Sequence, residues 1–422
     1  MVSLLRQRER YLLLIAGGYL LIGTVIVYPD LSAVNGLIAL LAGIAVLVAF
    51  LLVSVSWQAS CYHGDPFLLP VTAILVATGL VFLFRLDPAA GVRQLVWLAA
   101  GLTALVLTTR LLADMRFLSD YKYIYALAGA VALILPIFFG IERGGSRSWL
   151  DFGVFQLQPS EFVKILVILF LAGFLAENRA VLAVGSRSVG FLVLPGPQEW
   201  GPLLVMWGVS LILLVFQNDL GTALIYYGAF LAMIYVATAR VFYVLSGAVL
   251  FLGGAVASYF LFEHVQMRIE VWLNPWRFID AAGYQATQSL FALGSGGMVG
   301  SGLGRGYPGF IPAVHTDFIF AAIGEEMGLL GGIGIILLFL SLVFLGIKIA
   351  LKARDDFAAL LATGLTSLLG LQAFVIIGGV TGLLPLTGVT LPFISYGGSS
   401  LVANFILLGL LLNVSHEAGK RT

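Results

Sequence analysis

The sequence predicts an all-α polytopic membrane protein of about twelve transmembrane helices, and three observations carry that prediction. The 422-residue chain is 60% hydrophobic and only 10% charged, with a mean hydropathy of +1.06, far more apolar than a water-soluble domain tolerates. Apolar runs long enough to cross a bilayer, about 20 residues each, recur from Tyr11 to near the C-terminus. Between them lie loops punctuated by Gly, Pro and charge, with no stretch composed like a soluble domain and no low-complexity tract.

Hydropathy and loop punctuation place spans at 11–28, 36–56, 68–84, 93–109, 123–140, 160–176, 200–217, 220–237, 241–262, 317–347, 357–379 and 395–414. Arg6, Arg8 and Arg10 resemble the start of a signal peptide, but the apolar run after them is too long and no small-residue cleavage site follows. It reads as an uncleaved first span. With the N-terminus inside, the inner segments collect roughly twice as many Lys and Arg as the outer ones, which places both termini in the cytoplasm. The chain then divides into an N-terminal pair of spans (1–65), a core (66–415) with a large extracytoplasmic loop at 263–316, and a cytoplasmic tail (416–422).

A net charge of +1 supplies no basic patch for nucleic acid. The lone Cys61 excludes an intramolecular disulfide and a cysteine-cluster metal site. Polar chemistry gathers at the predicted outer surface, whereas a transporter concentrates it near the bilayer midplane.

Four constellations can do chemistry. The first joins Arg143 and Arg147 to Gln158-Pro159-Ser160-Glu161-Phe162-Val163-Lys164, where Ser160 suits a helix N-cap and Glu161 and Lys164 share a helix face. A carboxylate and an ammonium entering a span pair or line a polar cavity. The residues fit either a structural ion pair or a cation set facing an anionic headgroup. In the second, Gln217-Asn218-Asp219-Leu220-Gly221-Thr222, Asp219 either stabilises a helix start or takes part in chemistry.

The third is the outer loop: Arg268, Gln288, a glycine-rich run from Gly294 to Gly309, and His315-Thr316-Asp317, with Glu325-Glu326 about two turns on. Gly302-Leu303-Gly304-Arg305-Gly306 superficially resembles a phosphate loop, but no strand precedes it, so the glycines are read as allowing sharp turns. Asp317 can reach a substrate with its tail in lipid and its sugar in water, or it can cap the next helix. The fourth, Leu384 to Ser400 with Ser395, Gly397 and Gly398, breaks an apolar region with two prolines and predicts a cavity wall.

Read in order, RGGSRSW, QPSEFVK, QNDLGTA, GYQATQSL, HTDFIFAAIGEEMG and LPLTGVTLPFISYGGSS resemble the SEDS family of peptidoglycan polymerases, which contains RodA, FtsW and SpoVE. The likeness covers roughly Pro66 to Ser415. Family members typically have ten spans, so the first two here look like an N-terminal addition, a feature of RodA-like proteins of some Gram-positive lineages. Asn218 departs from the family's usual proline, and Ile376 from a frequent asparagine.

The resemblance implies a bacterial plasma-membrane glycosyltransferase with an outward-facing site. It would transfer a lipid-linked growing strand to the acceptor hydroxyl of lipid II, with inversion, releasing undecaprenyl pyrophosphate. It implies Asp317 as the catalytic aspartate, with Glu161, Lys164 and Asp219 matching the family's other charged positions. Gln158, Ser160, Gln288, His315, Thr316, Ser395, Gly397 and Gly398 are supporting candidates. Arg143, Arg147, Lys164 and Arg268 are candidate pyrophosphate ligands. Magnesium or manganese at Asp317 is a candidate cofactor, no organic cofactor is implied, and the expected partner is a class B penicillin-binding protein. Two other readings compete: a lipid II flippase, and a non-catalytic scaffold of a cell-wall synthesis complex.

Overall fold

In hydrocarbon every backbone polar group needs an internal partner, which makes helices the default for runs this apolar. The computed structural model describes residues 2–30, 34–112, 114–143, 146–153, 155–184, 187–189, 192–194, 208 and 219–420. Among them are fourteen α-helices. These are α1 (Val2–Val27), α2 (Val34–Ala59), α3 (Leu68–Leu86), α4 (Pro88–Leu111), α5 (Met115–Asp120), α6 (Lys122–Phe139) and α7 (Pro159–Val184). Then follow α8 (Leu220–Thr238), α9 (Val241–Leu261), α10 (Glu263–Leu273), α11 (Tyr284–Gly296), α12 (Ile319–Leu351), α13 (Asp356–Val380) and α14 (Gly398–Gly419).

Eleven of these are long and apolar enough to cross a membrane, each overlapping a predicted span. Apart from residue 208, the predicted span at 200–217 lies outside the described residues. The chain is an all-α polytopic membrane protein, with small strand pairs at its connections. Three strands, β1 (Ile141–Arg143), β2 (Ser146–Asp151) and β3 (Gln156–Leu157), form an antiparallel sheet, and β4 (Arg187–Val189) pairs with β5 (Leu192–Leu194).

Two differences from the sequence reading have physical causes. The segment at 263–316 is not one open loop, because α10, α11 and two 3₁₀ turns, Pro275–Phe278 and Pro308–Phe310, lie within it. Those helices are short and mixed in polarity, so hydropathy passes over them. Helix α4 starts at Pro88, earlier than predicted, because proline suits the first helical position and the Asp87 carboxylate accepts the Ala89 N–H at 2.9 Å.

The chain forms two compact units. The first comprises Met1–Val106, Ser258–Leu345 and Gln372–Leu408. Its N-terminal hairpin is closed by Arg6, which is buried, paired with Glu9, and donates to the Tyr62 and Gly64 carbonyls at 3.0 Å each. The Arg6 guanidinium also lies 5.2 Å from the Trp57 ring, so its charge is compensated on every described side.

The glycine-rich stretch after α11 belongs to the same unit, and its amides answer the question of a phosphate loop. Gly304 N–H donates to Glu326 at 2.9 Å, Tyr307 N–H to Glu325 at 2.7 Å, and Ser301 and Gly302 N–H to the carbonyls of Glu325 and Glu326. Arg85 completes the clamp, 3.4 Å from the Glu326 carboxylate and donating to the Gly304 and Gly306 carbonyls. The chain's own carboxylates therefore occupy the loop. Gly300, at φ +89°, is required because a Cβ there would collide with the Glu326 carbonyl.

The second unit comprises Leu107–Ala257, Gly346–Leu371 and Gly409–Thr422. Helix α7 packs between α6 and α8, with Leu133, Val163, Ala223 and Tyr226 at the centre of the contact. Asn413 closes the chain end by donating to the carbonyls of Thr108 and Leu112 at 2.9 and 2.8 Å. Arg179 joins Asp356 to the Ala237 carbonyl.

The Arg85 clamp gives a stability prediction. Arg85→Met leaves the buried Glu326 without its cation and should cost about 1–3 kcal/mol. Adding Glu326→Gln should recover part of that loss, and thermal unfolding of the four proteins of the cycle in detergent measures the coupling. Additive losses would show that Arg85 and Glu326 act independently.

Candidate active site

The residues preceding α12 are held by backbone pairing to a second irregular segment. Tyr396 N–H donates to the His315 carbonyl at 2.8 Å, and Ser395 Oγ donates to the Thr316 carbonyl at 2.5 Å. The His315 and Tyr396 rings meet edge to face at 5.9 Å. This arrangement fixes the backbone on the N-terminal side of Asp317, which sits two residues ahead of α12. Asp317 is half-buried, and its Oδ2 lies against Gly388, where a Cβ would stand 3.7 Å away.

Burial pushes the Asp317 carboxyl up to about 6, while the Thr316 side chain and then the Arg268 charge pull it back. Nearby, burial first and Arg268 second push the His264 imidazole below its ordinary value. Arg268, on α10, is thus the cation that acts on Asp317. At the start of α12 the Phe318 carbonyl takes the Ala321 and Ala322 N–H groups.

The Pro392–Gly397 turn is a chain break with its own supports. Leu391 N–H donates to Ser395 Oγ at 2.9 Å, and Gly397 N–H to Gln94 Oε1 at 3.4 Å. Phe393 takes a left-handed φ of 65°, and its ring packs on Phe405 at 5.4 Å. Gly398 has a simpler explanation than a site role: it opens α14 where a Cβ would collide with the Trp97 ring. Gln288 is half-buried on α11.

The second unit carries its own polar cluster. Lys164 pairs with Glu161 at 2.7 Å, and both side chains are buried. Asp219 caps α8, accepting the Thr222 N–H at 3.2 Å, and also accepts from Gln158 at 3.3 Å and from Ser160 at 3.5 Å. Tyr226 donates its hydroxyl to the Ser160 carbonyl at 2.6 Å.

Ser160 is not the N-cap that the sequence suggested. Pro159, lacking an N–H, takes the first helical position of α7, which moves the cap position back to Gln158 and leaves the Ser160 hydroxyl for Asp219. Arg143 and Arg147 lie on β1 and β2, and their side chains fall outside the described part of the structure.

The candidate residues thus resolve into two groups. His315, Thr316, Asp317, Ser395, Gly397 and Arg268 belong to the first unit, and Gln158, Ser160, Glu161, Lys164 and Asp219 to the second. Sequence reasoning missed Arg85, Arg93, Gln94 and Tyr226. A span-entering Arg93-Gln94 pair is the one signal that pointed to any of them, because polar residues entering a span need partners. Among the described residues no group of three or more His, Cys, Asp or Glu is arranged to hold a metal ion.

Known proteins resemble the chain along most of its length. Peptidoglycan glycosyltransferase RodA of Mycobacterium leprae is 42% identical over 366 residues, 84% of this chain and 78% of that protein. A probable peptidoglycan glycosyltransferase FtsW of Geobacter metallireducens is 41% identical, covering 76% of this chain and 84% of that one. Stage V sporulation protein E of Bacillus subtilis is 41% identical over 68% of this chain and 75% of its own.

Among solved structures, one describing coordination of polymerization and crosslinking by a peptidoglycan synthase complex matches with a TM-score of 0.71 at 29% identity, covering 84% of this chain and 98% of that one. Rod shape determining protein RodA of Thermus thermophilus matches with a TM-score of 0.60 at 27% identity, covering 84% and 97%. The profile of the FtsW/RodA/SpoVE family, described as cell cycle protein, matches residues 65–420, and the chain belongs to that family.

Proposed function

We infer that this multi-pass membrane protein is a peptidoglycan glycosyltransferase that extends glycan strands, and the observation that carries the chemistry is the half-buried Asp317 carboxyl with its pKa raised to about 6. At pH 7 such a group is roughly ten-to-one ionised, yet a stronger base than an ordinary aspartate.

In the proposed reaction the acceptor hydroxyl of lipid II attacks the anomeric carbon of the lipid-linked growing strand. The new glycosidic C–O bond forms as the bond to pyrophosphate breaks, so the configuration inverts. The hydroxyl proton passes to an Asp317 carboxylate oxygen, and the bonding pair leaves with undecaprenyl pyrophosphate. Arg268, in the same unit as Asp317, is the cation placed to meet developing negative charge.

Taken by itself, the second cluster offers a buried ammonium, Lys164, oriented by Glu161 and suited to an anionic headgroup. Arg143 and Arg147 are further candidates of the same charge. Asp317 is a single carboxylate, so magnesium or manganese would be carried mainly by phosphate oxygens and water, with Asp317 as its protein ligand and added charge neutralisation as its contribution.

The site faces outward from a bacterial plasma membrane, with both termini cytoplasmic. The partner is a crosslinking transpeptidase, a class B penicillin-binding protein. The structural likeness to a peptidoglycan synthase complex supports that partner, and strand synthesis by this protein serves cell elongation or division.

Three outcomes test this reading. Strand synthesis from lipid II by the purified protein, alone and with its transpeptidase, should fall by about a hundredfold or more in Asp317→Asn, since a positioned base contributes about 10²–10⁴. An unchanged rate would end the assignment of Asp317 as base.

The base must be ionised to accept a proton. In the wild type kcat/KM should therefore rise as pH is raised through about 6 and level off above it, and this limb should be missing from the residual activity of Asp317→Asn.

For the second cluster, Lys164→Met strands the buried Glu161 charge and should lower both melting temperature and activity. Adding Glu161→Gln should restore the melting temperature by removing that charge, by about 3 kcal/mol or more, without restoring synthesis. Recovery of both would show that the pair serves the fold alone.

A further inference from the structure

One buried side chain near Asp317 takes no part in the transfer mechanism. Gln94 is 3% exposed on α4, at the seventh position of the helix. A buried amide in a span needs partners for both of its ends. Its Nε2 donates to the Ser395 carbonyl at 3.2 Å, and its Oε1 accepts the Gly397 N–H at 3.4 Å. One side chain therefore clasps both sides of residue 396.

The clasped turn is the one that carries the groups gripping the residues before Asp317. Ser395 Oγ reaches the Thr316 carbonyl, and Tyr396 N–H reaches the His315 carbonyl. The turn does not hold itself. Phe393 sits in the left-handed region, which is strained for a bulky residue, and the surroundings must compensate.

Neighbouring residues of α4 press on the same turn. Arg93 donates to the Tyr396 hydroxyl at 3.2 Å, and Trp97, one turn beyond Gln94, packs where Gly398 leaves room. From α3, Gly79 admits the Ile394 carbonyl, which a Cβ would strike.

We propose that Gln94 is a positioning residue for the transfer reaction: by clasping the Ser395–Gly397 turn, it fixes the backbone groups that hold His315 and Thr316, and through them the Asp317 carboxyl. The proposal rests on the reading of Asp317 as the base. Gln94 touches neither substrate nor the reacting atoms. A displacement of about 1 Å in a reacting group costs up to about a hundredfold in rate, so a spacer two hydrogen bonds away from Asp317 can matter for kcat while leaving substrate binding intact.

The test uses the full-length protein in lipid nanodiscs with lipid II as substrate. Gln94→Met keeps the side-chain volume and removes both polar ends. It should lower kcat by about ten- to a hundredfold with KM changed less than about threefold.

Gln94→Glu supplies a second variant whose defect depends on pH. Protonated, its carboxyl can donate to the Ser395 carbonyl and accept from Gly397; ionised, it repels that carbonyl. Activity relative to wild type at the same pH should therefore recover as pH falls, a trend that simple loss of packing does not produce. In Gln94→Met combined with Ser395→Ala, the loss in kcat should be no greater than that of the worse single variant.

Wild-type kcat in Gln94→Met, a change confined to KM, additive losses in the double variant, or a Gln94→Glu defect insensitive to pH would each overturn the proposal. The polymerase reading fails separately, if wild type makes no strands under any condition. Amide exchange then decides the Gln94 proposal: Gln94→Met should speed exchange at Tyr396 and Gly397 and leave the Glu325–Glu326 clamp protected. No change there, or loosening throughout the molecule, would overturn it.

Discussion

A chain that leaves the helix inside an apolar bundle must give every exposed backbone group a partner made of protein, and the segment between α13 and α14 is built around that requirement. Helix alone would satisfy it, but Pro385, Pro392 and the glycines forbid helix here. The structure answers with side chains drawn from elsewhere. Gln372 donates to the Thr390 carbonyl at 2.9 Å, Ser395 folds back on Leu391, and Gln94 takes both ends of the turn. From the same turn, Tyr396 N–H and Ser395 Oγ are directed at the His315 and Thr316 carbonyls. The broken segment thus serves as the jig for Asp317 because it could not be left unsatisfied.

The same constraint sorts the carboxylates. Glu325 and Glu326 face a loop whose glycine backbone offers amides, and they are consumed by it, with Arg85 balancing the charge. Asp219 is consumed in the same way by a helix start and by Gln158 and Ser160. Asp317, outside the spans, meets burial with compensation from Thr316 and Arg268 that leaves its pKa at about 6. In the proposed reaction, position relative to donors, not residue type, separates the acids that build the fold from the one that takes the proton.

Much of this was legible in the sequence. The spans follow from apolar length, and the pairing of Glu161 with Lys164 follows from helical spacing and the cost of charge in a span. The rejection of a phosphate loop in the Gly302–Gly306 stretch also holds, since the Gly304 N–H meets the Glu326 carboxylate and the Gly302 N–H the Glu326 carbonyl. What was hidden depends on contacts between segments far apart in sequence. Gln94 and Ser395 are 301 residues apart, and nothing local in either motif says that they meet. Helices α10 and α11 were hidden for another reason: each is too short and too mixed in polarity to register against the long spans beside it.

The balance at Asp317 also constrains how the proposed reaction can proceed. Burial strengthens the carboxylate as a base but, carried further, would leave it protonated and useless near neutral pH. Arg268 and Thr316 stop the rise at about 6. That balance holds only while Asp317 stays where Thr316 and Arg268 act on it, and in the proposed reaction the turn behind it, hydrogen-bonded to the His315 and Thr316 carbonyls, keeps its backbone there.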